Sequence, residues 1–294
     1  VAHPTDGHLM LRAVERLGAL ARRHGVTLRQ SFARVARRAR REASRLLHGR
    51  SHKQGLRHLR KLRTYLGRLI RDIGRKIAGD PALEAAFATP LERAQRIHDQ
   101  QPGDAGKLYA FHAPEVECIG KGKARARYEF GVKTSIATTN ARCAGGQFVL
   151  GALALPGNPY DGHSLARQID QVERLLARPV RRAYVDRGYR GHGVRRDGLE
   201  VVVSHTRGIA SPTVRREMRR RNAIEPVIGH MKGDGLLERN HLAGLEGDAI
   251  NAILCAAGHN FRLLLAWFRA LLALILLADL YRRRPLPASE QAAA

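Results

Sequence analysis

A run of basic residues that repeats with helical period constrains this chain more than any other feature. Between Arg12 and Lys76 there are 21 Lys or Arg and only three acids, Glu15, Glu42 and Asp72. This segment therefore carries 18 of the 26 surplus positive charges of the whole 294-residue chain. Its apolar residues fall on two stripes. Leu28, Phe32, Val35, Ala39 and Leu46 form one, with Glu42 as a misfit; Leu59, Leu62, Leu66, Leu69 and Ile73 form the other, at steps of three and four. Such stripes predict two amphipathic helices. His48 to Gly55 between them is polar and contains glycine, which predicts a turn. The simplest object is an antiparallel helical hairpin zipped by its stripes and covered by arginine. With so few acids nearby, like charges spaced i,i+4 repel unless an anion neutralises them. Arg37, Arg41, Arg60 and Arg63 are accordingly the candidate phosphate-binding residues of the hairpin.

The composition agrees with a polyanionic partner. Of the 52 basic residues 44 are arginine, whose planar guanidinium binds phosphate in a bidentate fork. A sequence pI near 11.3 favours nucleic acid over an anionic membrane. At 44% hydrophobic the chain can still build a core, which excludes a disordered basic tail. The three cysteines, Cys118, Cys143 and Cys255, form no CxxC pair, which excludes a disulfide scaffold and suits a reducing cytosol. The longest apolar stretch, Leu263 to Leu280, is interrupted by Arg269 and carries Asp279 near its end. Its uninterrupted part, Ala270 to Ala278, falls far short of the ~20 residues of a membrane span, so it reads as a buried or partner-facing helix.

Beyond the basic segment, Gly79 to Gly106 reads as loop around a short helix at Ala82 to Phe87, since it holds Pro81, Pro90 and Pro102. The period then switches to two. Tyr128 to Thr139 and Gln147 to Leu155 predict a strand hairpin turning at Gly145-Gly146, and Gly162 to Ala177 an amphipathic helix. Arg182 to Asp186 and Glu200 to Ser204 predict short buried strands. Pro212 opens a predicted helix continuing to about Lys232, and a last helix runs from about Gly247 to Leu280. This order predicts an α/β fold around a mixed sheet.

Several chemistries are absent. The GKGK of Gly120 to Lys123 lacks the P-loop spacing, and there is no GxSxG, HExxH or dinucleotide fingerprint. Two acids stand out instead. Asp186 ends the apolar run AYVD, and a carboxylate at the C-terminal end of a buried strand sits where α/β sheets place active sites; a turn-capping aspartate is the plain alternative. Glu225 has Arg221 four residues before it and Lys232 seven after, which on one continuous helix share a face. A carboxylate that takes a divalent ion beside cations that take phosphate suits phosphodiester chemistry, and a simple surface salt bridge is the alternative.

These residues sit in longer blocks: HPTDGHLMLRAVERL, LYAFHAPEVECIGKGKARARYEFGVK, GGQFVLGALALPGNPYDGHSL, AYVDRGYRGHG and RRRNAIEPVIGHMKGDGLLERNHLAGLEGDAINAILCAAGHNFRLLL. In their order, from Thr5 to Leu265, they resemble the DDE transposases of bacterial insertion sequences, of the insertion-sequence-five type group. The resemblance implies a ribonuclease-H-like core interrupted by a basic helical insertion. It implies a division into residues 1–105 as that insertion, 106–262 as a partial catalytic core and 263–294 as a C-terminal helix and tail.

On this resemblance Asp186 matches the second catalytic aspartate and Glu225 the catalytic glutamate. Both would be metal ligands, with Arg221 and Lys232 at the phosphates beside the scissile bond. Met218 stands where the family's signature has tyrosine. Asn158, Asp161 and His163 of GNPYDGH are expected near the same face, with a turn and helix cap as the alternative for Asn158 and Asp161. The first catalytic aspartate of relatives lies on a strand upstream of the HPTD block, and Asp6 is a poor substitute for it. That strand would precede Val1, so an N-terminally truncated chain, impaired or inactive alone, is the expectation.

The intact family would use two Mg²⁺ or Mn²⁺ ions to cleave and transfer DNA strands during transposition. Its partners would be double-stranded DNA, at element termini and target, and further copies of itself in a homo-oligomer, in the bacterial cytoplasm at the nucleoid and without a membrane. A non-catalytic DNA-binding fragment, acting as competitor or surviving as a gene remnant, is the rival expectation.

Overall fold

The computed structural model describes residues 5–47, 49, 51–120, 127–141, 143–204 and 211–282. The chain is mixed α/β, mostly helical, and divides into two compact units, Val1–Val132 and Lys133–Ala294.

The first unit is built on four helices: α1 (Asp6–Arg23), α2 (Ala33–Leu47), α3 (His52–Ile77) and α4 (Pro81–Asp99). The second predicted stripe is borne out. Leu62, Leu66, Leu69 and Ile73 on α3 are all 0% exposed, each a burial contributing roughly 1.5–3 kcal/mol. The first stripe shifts. α2 begins only after Phe32, which takes a left-handed φ of 55° and stacks on Tyr65. The buried face of α2 is Ala36, Ala39 and Ala43, with Val35 and Leu46 half-buried beside it. Those small side chains let α2 and α3 lie close. At their joined ends a Cβ on Gly55 would stand 2.8 Å from Cγ of Leu47. At the far ends the Lys76 ammonium donates to the carbonyl of Thr27, so the pair is antiparallel as predicted. Within the predicted turn, His48 and Arg50 lie outside the described residues.

Asp72, one of the three acids in the basic run, is buried. It accepts the backbone N–H of Arg29 at 2.9 Å, with Lys76 and Arg75 at 3.6 and 3.7 Å. Burial opposes its ionisation, yet that N–H and the two cations hold its carboxyl below the usual range.

Residues 79–106 depart from the expected loop. Asp80 caps α4 by accepting from the N–H groups of Ala82 and Leu83, and Pro81 occupies the first turn, where it costs nothing. Pro90 stands inside the helix, a cost of about 3 kcal/mol. Burial of Phe87 before it and of Ala94 and Ile97 after it offsets that cost. The expected boundary at residue 105 also moves. Gln100 clamps Leu108 through both of its amide atoms, and Leu108 and Phe111 belong to the helical core. Asp6 opens α1 and pairs with Lys107 at 3.2 Å, a structural role. A ladder of β1 (Glu117–Gly120) and β2 (Tyr128–Gly131) completes the unit.

The second unit contains β3 (Lys133–Thr138), β4 (Val149–Leu155), α5 (Asp161–Leu176), β5 (Arg182–Val185), β6 (Glu200–Val203), α6 (Pro212–Arg220), α7 (Ile224–Gly233) and α8 (Gly244–Arg282). The predicted strand Tyr128 to Thr139 is broken at Gly131, whose φ of 153° lies outside the range of ordinary strand residues. β3 and β4 pair antiparallel across the predicted Gly145-Gly146 turn, while β5 and β6 pair in parallel. The expected single mixed sheet is therefore a set of separate two-stranded ladders among the described residues.

Helix α5 joins the two ladders of this unit by packing. Gln168, Gln171 and Val172 press against Gly151 so closely that a Cβ there would sit 2.6 Å from the nearest amide atom. Leu165 and Ile169 cluster with Val185. Helix α8 closes the opposite side of β4: Ala252, Cys255 and Ala256 pack on Val149, Ala152, Val227 and Met231. Asn260 both accepts from and donates to the backbone of Val149 at 2.8 Å, standing in for a neighbouring strand. The expected domain boundary at residue 263 thus falls inside one continuous helix.

Candidate functional site

Asp186 lies directly after β5, where the chain turns into a single 3-10 turn, Arg187–Tyr189. One carboxylate oxygen, Oδ1, accepts the backbone N–H of Arg187 at 2.7 Å and the Ser204 hydroxyl at 3.1 Å. The turn-capping role is therefore present. It leaves the side chain 62% exposed, so capping does not exhaust the group. Ser204, at the end of β6, carries no motif signal and becomes visible only when the parallel pairing brings it beside Asp186.

The predicted helix from Pro212 to Lys232 is interrupted. α6 ends at Arg220, residues Arg221–Ala223 form a 3-10 turn, and α7 starts at Ile224. Pro226 supplies the reason, because it has no N–H to give to the carbonyl of Asn222, four residues back. The break changes the expected geometry. Glu225 and Lys232 remain two turns apart on one face of α7, and the tighter 3-10 turn offsets Arg221 from them. Arg221 turns instead toward Asp186, with Nη1 4.0 Å from Oδ1. Its guanidinium is 19% exposed, Nη2 donates to Asn222, and its buried Nε has no hydrogen-bond partner among the described residues. Glu225 is exposed in the first turn of α7, where the helix dipole favours a carboxylate. Lys232 is half-buried in the last turn.

The GNPYDGH loop lies against the same turn. Asp161 pairs with Lys133 at 2.6 Å, and its Oδ2 would stand 2.7 Å from a Cβ on Gly188, two residues beyond Asp186. Asp161 itself begins α5 without a side-chain cap, and Asn158 is left-handed at φ 42°. Tyr160 donates to the carbonyl of Arg190 and packs edge-on to His163. Tyr189 hydrogen-bonds Ser135 and Ser164; burial raises its hydroxyl above its ordinary range, with the charge of Asp161 adding to the effect. Lys133, Ser135 and Tyr189 were not singled out by the sequence, since a lone residue of each type carries no spacing signal.

Metal binding is a question of how many carboxylates converge. Asp186 and Glu225 are the two carboxylates in question, Asp186 having Arg221 beside it, and the described residues contain no group of three His, Cys, Asp or Glu side chains placed to hold an ion. Two carboxylates with a guanidinium beside one of them do not fit a complete two-ion centre.

In the helical unit, a groove between α1 and α2 is lined by His8, Arg12, Glu15, Arg37, Arg40 and Arg41. Burial, followed by the charges of Arg12 and Arg40, lowers the His8 pKa, so this imidazole adds no charge at neutral pH. The four arginines face one acid, Glu15, which accepts from Arg37 at 2.8 Å and Arg12 at 3.4 Å. Arg41 and Arg60 are exposed. Arg63 is half-buried and donates to the carbonyl of Gln100 at 3.1 Å, so part of its fork is committed to holding the end of α4. The contribution of α1, through Arg12 and His8, was not legible in the sequence because pairing of α1 with α2 is tertiary.

No family model matches this chain, and no solved structure matches it. A stretch of 50 residues is 48% identical to the uncharacterized protein ORF8 in the nfe locus of Rhizobium meliloti, covering 17% of this chain and 24% of that protein. The chain thus spans about a quarter of the length of the curated relative it matches.

Proposed function

We propose that this chain is a DNA-binding protein of the DDE transposase kind, with a ribonuclease-H-like arrangement in its second unit. Its arginine-rich helices hold duplex DNA, and Asp186 and Glu225 are two acids of a cleavage site that these residues alone do not complete. The observation that carries the reading is the meeting of Asp186, at the end of a parallel strand, with Arg221 from the segment that also holds Glu225. Arg221 beside this acid sets a candidate phosphate donor next to a candidate metal ligand. The order of an antiparallel pair, a helix and a parallel pair ending in Asp186 also supports it.

On this reading Arg221 and Lys232 contact DNA phosphates near the acids, and Arg37, Arg41 and Arg60 supply sequence-independent affinity. The partners are double-stranded DNA, at element ends and target, and other copies of the chain. The setting is the bacterial cytoplasm at the nucleoid. Mg²⁺ or Mn²⁺ would serve a completed site. The rival reading, a non-catalytic fragment competing for the same DNA, is favoured by the absence of a three-ligand group among the described residues.

The test is a supercoiled-plasmid nicking assay with Mg²⁺ or Mn²⁺, run beside a duplex-binding assay. The expected result is binding with nicking at or near background. Robust metal-dependent nicking abolished by Asp186→Asn would show that the site is complete after all. Failure to bind duplex DNA would overturn the DNA-binding reading.

A further inference from the structure

The groove between α1 and α2 holds more than the arginines that periodicity selects. On α1, His8, Arg12 and Glu15 follow one another at steps of four and three, and on α2 Arg40 and Arg41 lie three and four residues beyond Arg37. These spacings set each trio on one face of its helix. Ala36 and Ala39 of α2 are buried in one core with Ala13 and Leu17 of α1, which brings the two faces together. The result is an open cleft of about 400 Å³, within the size range of small-ligand sites.

The charges in this cleft do not balance. Four guanidinium groups face one carboxylate. Glu15 divides its oxygens between the helices: Oε1 accepts from Nε of Arg37 at 2.8 Å, and Oε2 accepts from Nη1 of Arg12 at 3.4 Å. Arg40 and Arg41 pair with no acid among the described residues, although Arg40 is half-buried. His8 reports the resulting field, since burial and then the charges of Arg12 and Arg40 hold its pKa below the ordinary value. A partly buried cation without a counter-charge is costly, and an anion entering the cleft removes that cost. Glu15 already shows how one would bind, because carboxylate and phosphate present paired oxygens to a guanidinium in the same way.

We propose that this cleft is a discrete seat for one phosphate group, formed by Arg12, Arg37, Arg40 and Arg41, with Glu15 as a built-in counter-ion that the phosphate displaces. The proposal rests on the DNA-binding reading of the helical unit and makes it specific: a backbone phosphate enters this cleft, and Arg12 and Arg40 join the residues that hold it. Before the phosphate arrives, Glu15 keeps Arg12 and Arg37 from repelling one another across the two helices. Once it has arrived, the same carboxylate stands beside a like charge and weakens binding.

The experiment is a pair of titrations on the full chain, at constant ionic strength made up with chloride. One uses pyrophosphate read by calorimetry, the other a labelled duplex read by anisotropy. Glu15→Gln and Arg40→Gln are compared with the wild type and with two controls of equal charge change outside the cleft, Glu92→Gln on α4 and Arg34→Gln on α2, both exposed. Glu15→Gln should bind about 5-fold more tightly and Arg40→Gln roughly 10-fold more weakly, while each control stays within about twofold. Far-UV circular dichroism checks folding, and should Glu15→Gln fail to fold, Arg40→Gln against Arg34→Gln decides. This pattern with the duplex assigns the seat to a backbone phosphate. The pattern with pyrophosphate and no duplex binding would keep the seat for a small phosphate ligand and overturn the DNA reading. Duplex binding in which both cleft variants behave like their controls would overturn the seat and leave the DNA reading standing. Weaker binding by a folded Glu15→Gln would overturn the counter-ion role.

Discussion

The two units of this chain solve opposite problems. In the helical unit, α3 buries four large aliphatic side chains completely, and arginines cover its outer face. In the second unit, β5 and β6 are four residues each and only half-buried, and acids, hydroxyls and amides occupy the ends of the strands. One unit sets its unbalanced charge on a fully buried aliphatic core. The other holds its polar constellation on short ladders, where each hydrogen bond counts for more of the local stability. The basic surface is thus a property of a rigid scaffold, while the acidic site depends on small elements joined by α5.

The contrast is broken most severely from within the helical core. Leu66→Ala should cost about 2–5 kcal/mol, read as a fall in the urea midpoint of the helical signal, because the site is enclosed and cannot collapse. A loss near zero would mean that the core is looser than its burial implies. Next comes Asp72→Asn, expected to cost roughly 1–3 kcal/mol at neutral pH through a weakened bond to Arg29 and the loss of the charge facing Lys76 and Arg75. The sign with pH follows from a carboxyl held below its unfolded value. Its contribution is complete above the unfolded pKa and is lost as pH falls through the folded one. The difference between wild type and Asp72→Asn should therefore narrow on acidification, and a difference that widened would contradict the assigned partners.

Smaller effects on folding sharpen the functional half of the comparison. Replacing Arg37, Arg41 and Arg60 together by alanine should cost within about 0.5 kcal/mol at Arg41 and Arg60 and up to about 1 kcal/mol at Arg37, which also loses its bond to Glu15. The same replacement should lower the salt slope of DNA binding by roughly 0.9 for each phosphate that is no longer neutralised. Arg63→Ala should differ in kind, costing stability as well as affinity, because its guanidinium also holds Gln100. At the acidic site, Asp186→Asn should tighten DNA binding modestly by removing a negative charge 4.0 Å from Arg221, and Arg221→Ala should weaken it. Anisotropy titrations that moved both variants in the same direction would separate Asp186 from the DNA path.

Legibility in the sequence followed the range of the interactions. The Leu62 to Ile73 stripe, the Gly145-Gly146 turn, α5 and the strand ending at Asp186 are set by local pattern, and each lies where periodicity places it. What escaped was decided at a distance. α4 runs through Pro90 because Phe87, Ala94 and Ile97 reach a core whose existence no local window reveals. α2 turns its alanines inward because α3 is close. The break at Arg221 was readable in principle from Pro226, but the resulting swing of Arg221 onto Asp186 was not, since it needs β5 in place. The division of the expected sheet into separate ladders is likewise a matter of pairing, which alternation alone does not specify.

DNA binding through the helical unit is the central claim, and the salt dependence of that binding tests it most directly. Fluorescence anisotropy of a duplex with the purified chain, from about 50 to about 200 mM salt, should give a linear fall of log affinity with log salt and a slope of roughly −3 or steeper. That slope should flatten when Arg37, Arg41 and Arg60 are replaced together. Binding that is absent, or a slope near zero that these substitutions do not change, would contradict it.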